Sequence, residues 1–244
     1  MKICLIKQPA GIGDIFFCQK IARYMMHHGY QVVWPLMPSI SWVKDYIHDI
    51  YFPTTEEEFP GKDIYANGSG FVIEDEGAFI STATADLTHN DGKIMSSKYS
   101  MLGMDHDDWA KFFYFERNVD KENDLYYNVL GLKDDSRYVF INNLYNTDIR
   151  DSNLISKDQF ELPVVELKIL DGFTLFDWCK VISRAEKIFT INTAINYLIE
   201  VPSLLLLFSL PFSLLLPLPL FRRGRLLPLP LGFAHLIDLV AAPP

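Results

Sequence analysis

The chain has 244 residues, of which 49% are hydrophobic, so it can bury one large core or two smaller ones. Its formal net charge of −9 argues against a nucleic-acid-binding protein that works by broad neutralisation of phosphates. An apolar signal-peptide segment is not expected, because Lys7, Pro9 and Gly13 interrupt the first apolar run. The three cysteines form no Cys-x-x-Cys pair, which favours reduced core residues and a cytoplasmic protein.

The stretch 3–23 predicts a strand, a glycine-containing turn and a helix. Ile3 to Ile6 is a short apolar run, which is typical of a buried strand. Gly11 and Gly13 follow in a polar turn, and after Asp14 apolar residues return at helical spacing. This order is the usual opening of an α/β domain.

The turn is the first candidate site. Gly11 and Gly13 accept unusual backbone angles and allow a ligand to approach the main chain closely. Asp14 at the start of the helix is a candidate catalytic carboxylate. An alternative is that Asp14 only caps the helix, since a helix start has unpaired N–H groups and attracts acidic side chains.

The remainder of residues 1–135 continues the α/β pattern and is predicted to form one Rossmann-like domain. The run 30–34 indicates a second strand, parallel to the first, and Ser39 is placed to begin a short helix. Further strands are predicted at 49–52, 63–66 and 71–74, and a helix at 122–130.

Two acidic clusters with histidine, at 89–92 and 105–108, have the oxygen ligands that a divalent cation prefers. Asp107 and Asp108, however, directly precede an aromatic stretch with helical character, and acidic residues are common at helix starts. We therefore predict no metal site.

Residues 136–200 begin the pattern again and predict a second, short parallel sheet. Asn142 and Asn143 end the strand 138–143, and ligands of open α/β sheets collect beyond the carboxyl ends of strands. The strand 187–191 leads through Asn192, Thr193 and Ala194 into a helix, whose first N–H groups suit a phosphate. Buried amides that satisfy a loop, and helix caps, explain the same residues without a ligand.

Composition changes abruptly at the end of the chain. Residues 201–244 contain 16 Leu and 8 Pro but a single acidic residue, Asp238. Prolines interrupt the apolar run, so a spanning helix of about 20 residues is not expected. This tail is predicted to be either foreign to the α/β fold or a segment that contacts a membrane surface.

Together, the strand–Gly-x-Gly-Asp–helix opening and the late helix–strand–polar turn–helix unit resemble glycosyltransferases with two Rossmann-like domains (the GT-B type). The similarity is greatest to the ADP-heptose:lipopolysaccharide heptosyltransferase family. The resemblance implies inverting, metal-independent transfer of a sugar from a nucleotide-sugar donor to a glycan or other acceptor hydroxyl, without a further cofactor. It also implies that Asp14 is the base and that residues 192–194 contact the donor.

Two other functions stay open. Asn192 stands where the family motif has an acidic residue, and the second half is short, which favours a nucleotide- or sugar-binding protein without catalytic activity. A dinucleotide-dependent enzyme would need a Gly-x-Gly-x-x-Gly turn, and Phe16 occupies the third glycine position.

Overall fold

The computed structural model describes residues 2–8, 11–54, 77–82, 94–100, 102–144, 154–191 and 193–201. The predicted strands at 63–66 and 71–74, the acidic cluster at 89–92, Asn192 and the tail after Val201 lie outside the described residues. The fold is α/β with small parallel sheets.

The described chain contains six strands and six short α-helices, with 3₁₀ and π-helical turns between them. In chain order the strands and α-helices are β1 (Lys2–Lys7), α1 (Ile12–Phe17), α2 (Gln19–His27), β2 (Tyr30–Val33), β3 (Ala78–Ser81), α3 (Ile94–Ser100), α4 (Val119–Asn123), β4 (Val139–Asn142), β5 (Val164–Glu166), α5 (Cys179–Arg184), β6 (Lys187–Thr190) and α6 (Ala194–Glu200). The 3₁₀ helices are Pro38–Asp45, Trp109–Lys111, Lys157–Gln159 and Leu175–Trp178, and Asp124–Val129 is π-helical.

Two compact units make up the described chain. The first contains the described residues of 2–44 and 48–113, and the second those of 45–47 and 114–201. Residues 114–135 therefore belong to the second unit, whereas their sequence pattern had placed them with residues 1–113. The reason is aromatic and polar packing: Phe115 stacks on Phe176 with ring centroids 4.0 Å apart, and Lys180 Nζ donates to Asn123 Oδ1 at 2.6 Å.

The first unit is built on the sheet β2-β1-β3, in which β1 lies at the centre and both pairings are parallel. Cys4 pairs with Val32 on one side and with Ala78 on the other, and Cys4 is fully buried. A strand with neighbours on both sides needs a continuous apolar run, and this is why the N-terminal pattern predicted β1 correctly. The predicted strand at 49–52 is reduced to one parallel bridge between Tyr51 and Val33.

The predicted N-terminal helix is present but interrupted at Cys18, where α1 ends and α2 begins. The face that α1 and α2 bury is apolar except for one glutamine, in agreement with the helical spacing in the sequence. Its buried residues are Ile15, Phe16, Phe17, Gln19, Ile21, Ala22 and Met25.

The second unit is built on the sheet β5-β4-β6, again with parallel pairings and the earlier strand at the centre. All four residues of β4 are buried, whereas β6 alternates and leaves Lys187 and Phe189 exposed. The predicted strands at 138–143 and 187–191 are confirmed to within one residue at each end.

A buried carboxylate organises the polar interior of the second unit. Asp177 is fully buried; its Oδ1 accepts the Tyr46 hydroxyl at 2.7 Å, and its Oδ2 accepts the Thr174 backbone N–H at 2.7 Å. The Thr174 bond is part of a capping box at the start of the 3₁₀ helix Leu175–Trp178. Burial raises the pKa of the Tyr46 phenol, so this hydroxyl stays protonated and donates a hydrogen bond to Asp177.

We expect Tyr46→Phe to lower the free energy of unfolding by about 2 kcal/mol, because it leaves one oxygen of a buried carboxylate without its hydroxyl donor. Tyr127→Phe is the matched control: the Tyr127 hydroxyl also donates to a carboxylate at 2.7 Å, but that carboxylate, on Asp134, is exposed. Tyr127→Phe should lower the free energy of unfolding by less than about 0.5 kcal/mol. Urea denaturation of both variants measures the difference, and equal losses would show that burial of Asp177 does not decide the effect.

Candidate active site

The site lies in the first unit, at the carboxyl edge of its sheet. Gln8 directly follows β1 and Thr82 directly follows β3, and the Thr82 hydroxyl donates to Gln8 Oε1 at 2.9 Å. Trp34 directly follows β2, and its Nε1 donates to the Gln8 carbonyl oxygen at 3.0 Å. Because parallel strands end at one edge, residues distant in the sequence meet here.

Lys98 of α3 reaches into this edge. Its Nζ donates to Gln8 Oε1 at 2.8 Å and to the Thr82 carbonyl oxygen at 2.8 Å, and it lies 2.9 Å from Asp14 Oδ1. The Lys98 side chain is 4% exposed, whereas that of Asp14 is 24% exposed. An ammonium group has three N–H donors, and these three acceptors match them. The pair therefore joins an interior cation to a carboxylate that solvent still reaches.

The helix geometry corrects the capping interpretation of Asp14. Gly11 occupies the N-cap position of α1, no side chain caps this helix, and Asp14 is its third residue. The carboxylate bonds to Lys98 rather than to the first N–H groups of its own helix.

Gly11 is the glycine that the turn requires. Its φ is +83°, and a Cβ at this position would lie 2.1 Å from Asp14 Oδ2. The second carboxylate oxygen thus lies directly over the Gly11 backbone, in space that any side chain would occupy. Gly13 lies within the first turn of α1, and its φ is not positive, so the turn does not need glycine there.

Replacing Gly11 by alanine should displace the Asp14 carboxylate, and Gly29→Ala is a closely matched control. Gly29 has a φ of +84°, but a Cβ there would have no atom within 4 Å. Both variants incur backbone strain of about 1–2 kcal/mol. We expect Gly11→Ala to lose at least about 1 kcal/mol more, because the new methyl group pushes Oδ2 aside and disturbs the ion pair. Thermal and urea unfolding measure the stability of both variants. Equal losses of unfolding free energy in Gly11→Ala and Gly29→Ala would contradict the close packing of Asp14 Oδ2 on Gly11.

A buried thiol completes the surroundings of the pair. Cys18 is fully buried near both Lys98 and Asp14, and burial raises the pKa of its thiol to about 12. The thiol is therefore neutral at physiological pH and is not a nucleophile. Tyr99, the neighbour of Lys98 on α3, donates its hydroxyl hydrogen to the Phe17 carbonyl oxygen, which fixes α3 against α1.

In the second unit, the structure brings Asn142 and Thr193 together. The buried Asn142 amide donates to Thr193 Oγ1 at 2.8 Å and to Thr190 Oγ1 at 3.1 Å, and its Oδ1 accepts the Leu144 N–H at 3.0 Å. Thr193 precedes Ala194, the first residue of α6, but its side chain does not cap that helix. These contacts hold the ends of β4 and β6 together.

Asn143 has a comparable internal role. Its Oδ1 accepts the Ile155 N–H at 2.9 Å, and its Nδ2 donates to the Ile155 carbonyl oxygen at 3.1 Å and to Glu166 Oε1 at 3.2 Å. A hydrogen bond from Lys157, and to a smaller extent one from Asn143, lowers the pKa of Glu166. Hydrogen bonds to neighbouring protein groups therefore account for the side chains of both Asn142 and Asn143.

The acidic cluster at 105–108 lies in the first unit. Ligand atoms of Asp105, His106 and Asp107 lie within 4.8 Å of one another, and both aspartates are exposed. Asp105 Oδ1 already accepts the Asp107 N–H at 3.0 Å, which lowers the pKa of Asp105. Asp108 forms an ion pair with Lys20 and stands at the start of the 3₁₀ helix Trp109–Lys111. Asp108 thus lies at a helix start, as its place before the aromatic stretch indicates.

Sequence reasoning missed Lys98, Gln8 and Thr82 as site residues. Lys98 is buried among the strand ends and does not lie at the solvated surface. Gln8 could have been found from its place two residues after the predicted first strand. Lys98 carries no such signal, since its partners lie 16 and 90 residues away along the chain.

Comparisons with known proteins give no match: no family model, no curated protein and no solved structure is significantly similar to this chain. The glycosyltransferase resemblance therefore stays a prediction from residues 3–23 and 191–199. Among the described residues, no helix has the length and apolar character needed to cross a membrane. The predicted membrane contact of the tail concerns residues outside that part of the chain.

Proposed function

We propose that the protein transfers a sugar from a nucleotide-sugar donor to an acceptor hydroxyl, with Asp14 as the general base. The observation that carries this proposal is the Asp14–Lys98 pair at the carboxyl edge of a parallel sheet. A carboxylate there is partly open to solvent, is held by a buried cation, and keeps its second oxygen over the Gly11 backbone. A base for hydroxyl activation needs this combination of access and fixed orientation.

In the proposed reaction the Asp14 carboxylate accepts the proton of the acceptor hydroxyl as that oxygen attacks the anomeric carbon. A new carbon–oxygen bond forms, and the bond from the anomeric carbon to the donor phosphate breaks. The electron pair of the broken bond leaves with the nucleoside diphosphate. A single displacement of this kind inverts the anomeric configuration and requires no covalent enzyme intermediate.

The fold supports the proposal at a general level. We propose that the two parallel-sheet units are reduced Rossmann-like domains of the two-domain glycosyltransferase type, the second one short. Donor contacts by Thr193 and Ala194 stay a prediction, because α6 has seven residues and the Thr193 hydroxyl already bonds to Asn142. Three buried free cysteines support a reducing cytoplasm as the site of action.

The test is a panel of nucleoside diphosphate sugars, examined by saturation-transfer NMR for binding and by release of nucleoside diphosphate for turnover. The full chain should bind a subset of the panel and release diphosphate when a suitable hydroxyl acceptor is added. ADP-sugars and heptose-like acceptors are included first, because the resemblance points to them. Binding of NAD alone, with no nucleotide sugar bound, would contradict the proposal.

The alternative is a nucleotide- or sugar-binding protein of the same fold without catalytic activity. One observation favours it: in the described residues the second sheet has three strands of three or four residues, which is small for a complete donor-binding domain. The same panel separates the two functions. Specific binding with no diphosphate release, for any acceptor in the panel, would establish the binding protein.

A further inference from the structure

The Lys98 ammonium has a feature that the proposed reaction does not by itself explain. It is a cation in the interior, and it reaches no substrate-accessible surface, since its side chain is 4% exposed. Burying a charge is costly unless it is paired and hydrogen-bonded, and here three acceptors from three parts of the chain provide that compensation. Gln8 follows β1, Thr82 follows β3, and Asp14 lies in α1.

We propose that Lys98 is a positioning residue for the Asp14 base. Its three N–H groups are directed to Gln8, Thr82 and Asp14, so no N–H group remains to bind the phosphate of a nucleotide sugar or an acceptor sugar. By holding Asp14 Oδ1, Lys98 fixes the plane of the carboxylate. Oδ2, which lies over Gly11, is then the oxygen that takes the proton from the hydroxyl of the acceptor. This inference rests on the proposed function.

Gln8 and Thr82 set the direction of the ammonium. The Thr82 hydroxyl donates to the same Gln8 oxygen that Lys98 uses, so the Gln8 amide is oriented with its oxygen toward Nζ. Both groups are neutral, and the neighbouring Cys18 thiol is neutral because burial raises its pKa to about 12. Lys98 is therefore the charged group that the structure pairs with the Asp14 carboxylate.

The first experiment compares wild-type protein, Lys98→Met, Lys98→Arg and the exposed-lysine control Lys111→Met. In Lys98→Met the acid limb of the pH–rate profile should move to higher pH, because the carboxylate loses the neighbouring positive charge. Turnover should fall about tenfold or more at neutral pH with the donor KM little changed, and Lys98→Arg should restore part of it. Lys111→Met should behave as the wild type. An unmoved acid limb in Lys98→Met would overturn the inference.

A second variant covers the case in which Lys98→Met does not fold. Gln8→Glu keeps the size of the side chain and the ammonium, but places a second carboxylate 2.8 Å from Nζ, where Gln8 Oε1 now lies. Asp14 must then share the cation, so the acid limb should again move to higher pH. A folded Gln8→Glu protein with the wild-type profile would count against positioning by Lys98.

A measurement without turnover separates this inference from the proposed function. The carboxyl carbon resonance of Asp14, assigned by its loss in Asp14→Asn, is followed against pH in the wild type and in the same variants. Its titration should move to higher pH in Lys98→Met or Gln8→Glu and not in Lys111→Met. If the wild type turns over no nucleotide sugar but the resonance moves, the proposed function fails and the Lys98–Asp14 coupling stands. If the resonance does not move, the coupling is wrong whatever the reaction is.

Discussion

Asp14→Asn should slow sugar transfer by roughly 10²- to 10⁴-fold, the usual contribution of a positioned general base. The asparagine oxygen occupies nearly the same place and still accepts a hydrogen bond from Lys98, but the amide cannot take up the acceptor proton. Donor binding should be nearly unchanged, because in the proposed reaction Asp14 acts on the acceptor hydroxyl and not on the donor. The loss is therefore expected in kcat, measured as nucleoside diphosphate release at saturating donor.

Asp49→Asn is the control for the loss of an acidic side chain that is paired with a cation. Asp49 forms an ion pair with Arg23 and is 40% exposed, so its substitution should change neither rate nor stability appreciably. Asp14→Asn itself should cost about 1–2 kcal/mol of unfolding free energy, because a hydrogen bond to a charged group is weakened. If Asp14→Asn transfers sugar at the wild-type rate, Asp14 is not the base and the proposed mechanism is wrong.

The local pattern of the sequence was sufficient for the central strands. In β1 and β4 every residue from Cys4 to Ile6 and from Val139 to Ile141 is buried, and a buried parallel strand is recognisable as a short apolar run next to a turn. Asn142, the polar residue that directly follows the second of these runs, is recognisable in the same way. The Gly11 turn and the acidic residue behind it are likewise local features.

What the sequence could not provide is long-range pairing. The carboxylate of Asp14 is easily read as a helix cap until Lys98, 84 residues later, is seen to hold it. The unit boundary is a similar case: the patterns of residues 114–135 indicate helices but do not show that Phe115 stacks on Phe176. Side-chain partners of this kind depend on how elements pack, and element patterns carry no information about them.

Lys98→Met should have a large effect on stability, with an expected loss of about 2–4 kcal/mol in the unfolding free energy of the first unit. Removing one member of a buried ion pair leaves the other charge without compensation. Here the remaining Asp14 carboxylate is 24% exposed and regains some hydration, which limits the cost. The Thr82 carbonyl oxygen also loses its Lys98 donor, whereas Gln8 Oε1 keeps the Thr82 hydroxyl.

Lys111→Met provides the comparison, because it removes the same charge from an exposed position of the same unit. It should change the unfolding free energy by less than about 0.5 kcal/mol, as surface substitutions generally do. The double variant Lys98→Met with Asp14→Asn should recover part of the loss, since it removes the uncompensated carboxylate together with its partner. Urea denaturation of the wild type, the two single variants and the double variant completes a double-mutant cycle for the Lys98–Asp14 pair. Strictly additive losses would mean that Lys98 and Asp14 do not stabilise each other, and the ion pair at the strand ends would then have no energetic role.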